Sequence, residues 1–226
     1  MPPRDRCQRD PHRLRRRAGA QADAARDRTG SAVLSAWDGG AVWYAGYGSN
    51  LDPARFRRYL SGGRPPGATR TYPGARDRAE PLATKAYEMA GRLTFAWESP
   101  TWGGGIAFHE PDADGSVLAC AYLVTAGQLS DVLAQEMWRD PGADLDLTEV
   151  VSTGRHTIGP GRYETLHLAG ELDGHPVVTF SATDVDALGL RAPAPPYVAT
   201  IARGLRETHQ LTDDQIVDYL LGCRGV

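Results

Sequence analysis

Two stretches of the chain carry residue types whose spacing suits chemistry. The first is the run Tyr47, Gly48, Ser49, Asn50, Leu51, which reads YGSNL and lies between an apolar segment and a helix start marked by Asp52 and Pro53. A junction of strand and helix points backbone N–H groups outward with a helix dipole behind them, which suits a small anion or an oxyanion. Glycine at 48 lets the backbone approach a ligand closely. The same five residues also fit a tight turn in which Ser49 and Asn50 satisfy their own backbone. Two louder motifs fail here. Gly46 and Gly48 begin a GxGxxG pattern that Leu51 breaks, and no GxSxG elbow surrounds Ser49, so neither dinucleotide binding nor serine hydrolysis follows.

The second stretch is the helix that Thr125 and Gln128 open with a capping-box pattern and that Pro141 must end. Taking Leu129 as zero, rotation by about 100° per residue puts Val132 near 300°, Leu133 near 40°, Glu136 near 340° and Met137 near 80°. Glu136 therefore sits in the apolar stripe, while Gln135, at about 240°, falls off it. A carboxylate aimed at a core is costly unless partnered. Burial favours the protonated form of a carboxyl group, and a proton held near neutral pH is what a general acid/base needs. A fraying last turn in which Glu136 pairs with Arg139 in solvent is the competing arrangement.

Other residues point less far. The six histidines show no HExxH and no ligand-like spacing, so zinc-assisted amide hydrolysis finds no support. Asp112, Asp114 and Gly115 begin like a calcium loop but lack its distal Glu, and a hairpin turn fits them better. Trp102 with Gly103, Gly104 and Gly105 reads as a substrate-facing loop or as a strand start that tolerates only small residues. Cys7, Cys120 and Cys223 are widely spaced and odd in number, which suggests neither a disulfide framework nor a structural zinc site. A reducing cytoplasm fits, and the N-terminus lacks the apolar segment of a secretory signal.

Around these stretches the chain supplies a domain of ordinary size. Its 226 residues are 41% hydrophobic and 23% charged, which argues against wholesale disorder, collagen or coiled coil. No run approaches the ~18 apolar residues of a membrane span. Residues 1–28 hold nine Arg against four Asp, so the overall charge of −3 leaves an acidic body, a poor match for phosphate backbones. Residues 1–40 read as a disordered Arg-rich extension and residues 41–226 as the folded domain. Strands are expected over 42–47, 92–97, 105–109, 117–124, 147–152, 163–169 and 176–181, with a further one near 70–73. Asp173 and Gly174 form the hairpin turn between the last two. Helices are expected from Pro53 to the breakers Gly62 and Gly63, after Thr125, over 197–209, and from Thr212 to Leu221. Strands dominate, helices interrupt them, and no strict βαβ alternation appears, which predicts a mixed, barrel-like α+β domain.

With these elements in place, the chain resembles the γ-glutamylcyclotransferase-like proteins. Four stretches match in order: residues 47–51; residues 101–107, TWGGGIA; Gln135 and Glu136 on a helix after a hydrophobic strand; and PAPPY ending at Tyr197, with Arg203 and Gly204 on its helix. The resemblance covers about residues 42–221. It implies an α+β fold with a mixed β-barrel flanked by helices. It also implies an enzyme that cleaves a γ-glutamyl amide without water, the substrate's α-amine attacking its own γ-carbonyl to release 5-oxoproline and a free amine. By that resemblance Glu136 is the catalytic acid/base and the loop from Tyr47 to Leu51 cradles the substrate, holding the γ-glutamyl unit through the N–H groups of Gly48, Ser49 and Asn50. Tyr197 hydrogen-bonds the substrate, and Tyr47 walls the pocket. No metal or organic cofactor is implied, nor any nucleic-acid or membrane partner, only a small γ-glutamyl molecule. The alternatives are a binding module of the same fold without turnover, and an amide hydrolase or deacetylase. Two features depart from the family pattern: Met137 and Trp138 follow the glutamate where glycine is common, and a family tyrosine lacks a counterpart within residues 144–151.

Overall fold

The computed structural model describes Trp37, residues 39–64 and residues 70–226. The expected N-terminal extension lies, but for Trp37, Gly39 and Gly40, outside the described residues. Eight strands form two sheets: β1 (Ala41–Gly46), β2 (Ala83–Ala90), β3 (Arg92–Ser99), β4 (Gly104–Glu110), β5 (Ser116–Thr125), β6 (Arg155–Thr157), β7 (Thr165–Leu172) and β8 (His175–Ser181). The large sheet has the order β2-β5-β1-β8-β7-β6, and β3 and β4 make a hairpin of their own. β1 runs antiparallel to β5 and parallel to β8, so the sheet is mixed. β1 and β5 are central and almost wholly buried, as strands covered on both faces must be.

The helices are α1 (Pro53–Ser61), α2 (Ala126–Glu136), α3 (Thr148–Thr153), α4 (Pro195–His209) and α5 (Asp213–Leu221). Between β1 and α1 the chain makes one 3₁₀ turn, Gly48–Leu51. Asp52 caps α1 through Ala54 N–H with Pro53 in the first turn, and Thr125 and Gln128 form the reciprocal capping box of α2.

Four expectations are corrected. The sheet is not a closed barrel: among the described residues no ladder joins edge strands β2 and β6. β6 is three residues long and covers only the first part of β7. Beyond it β2 reaches β7 by side chains alone, Tyr87 Oη donating to Ala169 O at 2.9 Å and Lys85 Nζ meeting Asp173 Oδ2 at 2.5 Å. Ala169 is the extra residue of a β7 bulge opposite β8, which breaks the regular edge that closure would need. Residues 147–152 are not a strand. Val150 and Val151 are buried on helix α3, which starts where Asp146 Oδ1 accepts from Thr148 N–H at 2.8 Å and ends on Gly154 in the left-handed region. The strand expected near 70–73 is a single bridge, Gly63 with Tyr72. Finally, Gln135 is fully buried because residues 74–77 pack on that flank of α2.

Candidate active site

Glu136 is the last residue of α2, and α2 brings it to the 3₁₀ turn. Its Oε1 accepts from Asn50 Nδ2 at 2.9 Å and from the Tyr59 hydroxyl. Arg55 settles the direction of the second bond. Its Nη2 lies 3.0 Å from Tyr59 Oη and 2.6 Å from Tyr72 Oη. A guanidinium only donates, so the Tyr59 oxygen accepts from Arg55 and the Tyr59 proton goes to Glu136. Oε1 thus holds two protein donors, and among the described residues no hydrogen bond holds Oε2. Arg139, the competing partner, donates instead to Pro160 O.

The opposite wall is the turn itself. Asn50 N–H bonds to Tyr47 O within the turn at 3.2 Å, so the backbone donor expected of Asn50 is already engaged. The side chain takes part instead: Nδ2 reaches both Tyr44 Oη and Glu136, while Oδ1 is buried without a partner. Gly48 and Ser49 occupy the first two positions of the turn, where N–H groups have no partner inside the helix. Glycine at 48 is doubly required. Its φ is +60°, and a Cβ there would stand 2.7 Å from the Tyr197 hydroxyl.

Tyr197 lies in the first turn of α4, after two prolines that start the helix. Its hydroxyl accepts from Ala107 N–H at 3.0 Å, which leaves its own proton free to donate. Burial pushes its pKa up to about 12, so it remains a donor at neutral pH. Tyr47 lines the cleft, but its hydroxyl donates to Phe180 O at 2.7 Å, consistent with a wall rather than a ligand contact. Leu51 is the correction: it is wholly buried in the core under α4 and does not line the cleft.

What holds this turn is legible residue by residue. Asp52, completely buried, caps α1 and pairs with Arg203 Nε at 2.7 Å and with Arg203 Nη2. Gly204, the next residue, lets α4 touch the turn, since a Cβ there would lie 2.5 Å from Leu51 C and 2.6 Å from Asp52 N. The TWGGGIA run does two jobs. Trp102 lines the cleft and meets the Tyr197 ring edge-on, while Gly104 and Gly105 lie against residues 191–194, where Cβ atoms would collide.

The cleft between these walls encloses about 530 Å³, counting its open mouth. Tyr59, Arg55, Arg70, Tyr163 and Arg162 line it without having been expected from the sequence, and so does Trp138, which departs from the family pattern after Glu136. Tyr59 follows Phe56 by three positions on the apolar face of α1, a periodic signal that was there to be read. Tyr163, whose hydroxyl donates to Ala107 O at 2.9 Å, puts a cleft tyrosine well beyond residues 144–151. Burial first, then the nearby Glu136 charge, raises Tyr44 well above the ordinary phenol range. Burial likewise raises Tyr59 and Tyr163, so all three stay protonated. Among the described residues no group of three or more His, Cys, Asp or Glu side chains is placed to hold a metal ion, and no helix is long and apolar enough to cross a membrane. The site offers one carboxylate and several neutral phenols, a set suited to moving a proton beside a developing oxyanion.

No family model matches the chain. Histone deacetylase 5 of Arabidopsis thaliana is 31% identical over 198 residues, covering 79% of this chain and 30% of that protein, so the chain spans about three tenths of that relative's length. Two solved structures overlap 81% of this chain and 89% of their own. One is described as a gamma-glutamyl cyclotransferase, at 16% identity and a TM-score of 0.49, and the other as an uncharacterized protein from Homo sapiens, at 18% identity and a TM-score of 0.48.

Proposed function

We propose that this chain is a γ-glutamyl cyclotransferase acting on a small γ-glutamyl amide. The observation that carries the reading is the placement of Glu136: its Oε1 is held by Asn50 and Tyr59, and its Oε2 is free in a cleft faced by the glycine-serine turn. In this reading Oε2 takes a proton from the substrate α-ammonium. The freed amine nitrogen attacks the γ-carbonyl carbon, and a C–N bond closes the five-membered ring. The Tyr197 hydroxyl, on which the Ser49 N–H already bears, and the Gly48 N–H donate to the oxyanion or to the α-carboxylate. Glu136 then returns the proton to the leaving nitrogen and the original C–N bond breaks; the carboxylate next takes the second proton from the ring nitrogen and passes it to the departing amine, so that 5-oxoproline and the amine, as its ammonium, depart. Attack within one molecule needs little beyond a ring-closing pose and one group that carries protons between the two nitrogens.

The test is to incubate the protein with γ-glutamyl amines and peptides and analyse the products by mass spectrometry. The reading expects 5-oxoproline, and Glu136→Gln is expected to lower the rate by ~10² or more while ligand still binds. Free glutamate or another free acid would reveal an amide hydrolase, the activity class nearest the name of the Arabidopsis relative. Binding unchanged by Glu136→Gln with no product of either kind would reveal a binding module.

A further inference from the structure

The charges around the cleft do not balance. Among the described residues its only acidic lining residue is Glu136, whereas Arg55, Arg70 and Arg162 all line it. None of these three guanidiniums forms an ion pair with a carboxylate of the described residues. Arg55 is nearly inaccessible, and its Nε and Nη1 are buried without a partner, as is Arg162 Nε. Among the described residues no acceptor meets these buried donors.

Arg70 and Arg162 are also held in place. Arg70 Nη1 donates to Gln135 O and Arg162 Nη2 to Glu136 O, each at 2.8 Å, so each uses one donor of five on the end of α2. Both guanidiniums lie on Trp138, at 4.6 and 5.7 Å from its ring centre, and Arg162 lies 4.7 Å from that of Trp97. Trp138 and Trp97 have φ of +61° and +53°, a backbone region that side chains rarely adopt and that Asp173 and Gln210 also occupy.

A γ-glutamyl head brings one ammonium, matched by Glu136, and one carboxylate, matched by the donors of the opposite wall; Arg55, almost inaccessible and lying against the Tyr59 and Tyr72 rings, is out of its reach. Arg70 and Arg162 remain. We propose that the amine released by this enzyme carries carboxylates, two in the preferred case, and that Arg70 and Arg162 on Trp138 bind them. The preferred substrates are then acidic γ-glutamyl peptides such as γ-glutamylglutamate. This rests on the cyclotransferase reading for the γ-glutamyl head, while the anion preference rests on the guanidiniums alone.

The test compares kcat/KM for 5-oxoproline release by the full chain from γ-glutamylglutamate, γ-glutamylalanine, γ-glutamylalaninamide and γ-glutamylputrescine. Each lost carboxylate is expected to cost about tenfold, with the cationic amine slowest, and 0.5 M salt is expected to compress the series. Arg70→Met is expected to raise KM for γ-glutamylglutamate about tenfold more than KM for γ-glutamylalaninamide. Arg162→Met is expected to act alike on selectivity, and Arg162→Lys to restore part of it. Equal rates for γ-glutamylalanine and its amide, or a preference for putrescine, would overturn the proposal. Calorimetric binding of γ-glutamylglutamate and γ-glutamylalaninamide to the Glu136→Gln protein separates the two readings. Acid-selective binding without 5-oxoproline from the unmutated protein would remove the cyclotransferase and keep the anion subsite. Turnover without charge preference would do the reverse, and neither binding nor turnover would overturn both.

Discussion

At Glu136 the chemistry depends on which oxygen is tied down. Asn50 and the Tyr59 hydroxyl both donate to Oε1, and Arg55, which cannot accept, fixes the Tyr59 proton on that bond. Tyr59→Phe removes a charge-assisted donor and leaves Arg55 with one phenol fewer. A hydrogen bond to a charged group is worth ~1.5–3 kcal/mol, so kcat is expected to fall about 10- to 100-fold in a protein that still folds, as near-UV circular dichroism would check. An unchanged kcat would mean that Tyr59 only fills space. Tyr197→Phe tests the other wall. It strands Ala107 N–H, which now donates to Tyr197 Oη at 3.0 Å, and removes the donor aimed at the substrate, so a loss of about the same size is expected in kcat/KM measured by 5-oxoproline release. Glu136 was singled out by its place in an apolar stripe, and Tyr197 by the resemblance of its PAPPY run. The guanidiniums were not, since an Arg in a loop or on a helix face looks like any solvated charge until its neighbours are known.

At the scale of elements, the site depends on α4 being able to touch the 3₁₀ turn. Gly204 is the contact point, and Arg203 beside it pairs with the buried Asp52 that caps α1. Gly204→Ala is expected to destabilise the protein by ~1–3 kcal/mol in urea unfolding, because a methyl group there must displace backbone atoms of Leu51 and Asp52. Gly142→Ala serves as the control: nothing lies within 4 Å of its Cβ position, and no change beyond ~0.5 kcal/mol is expected. Equal effects at both positions would show that the α4 contact is not tight. The elements also show where local reading fails. Residues 83–90, ATKAYEMA, have the composition of a helix surface and were not expected as a strand, yet they pair along eight positions with β5. The open edge of β5 decides this, since strand preference is largely a matter of what lies alongside. Residues 147–152 were expected as a strand and form a helix instead, with Asp146 accepting from Thr148 N–H at its start and Gly154 at its end.

Over the whole molecule, burial of neutral imidazoles ties stability to pH. His167 is buried with Nε2 unpartnered, and its pKa is lowered from 6.5 to about 4 by desolvation first and then by His109 and Arg155. Between those values the unfolded chain binds a proton that the folded protein does not. Stability therefore rises with pH through this window and is lost as pH falls from about 6.5 toward 4, by up to ~3 kcal/mol. His109 is shifted the same way, by burial. His167→Leu is expected to flatten the loss between pH 6.5 and 4.5 in urea unfolding, and an undiminished loss would place the acid sensitivity elsewhere.

Local chemistry alone determined a good part of this protein: the capped helices, the doubly covered β5, the Asp173–Gly174 hairpin and the turn around Gly48. Each depends on neighbours a few residues away, where caps, periodicity and turn preferences act. Tertiary structure alone decided that the sheet stays open, that β2 joins it, and that Gln135 is buried. It also decided that Arg55, Arg70 and Arg162 converge on the cleft that holds Glu136. Those outcomes turn on which surfaces meet across long stretches of chain, and burial and charge pairing are properties of that meeting rather than of any segment by itself.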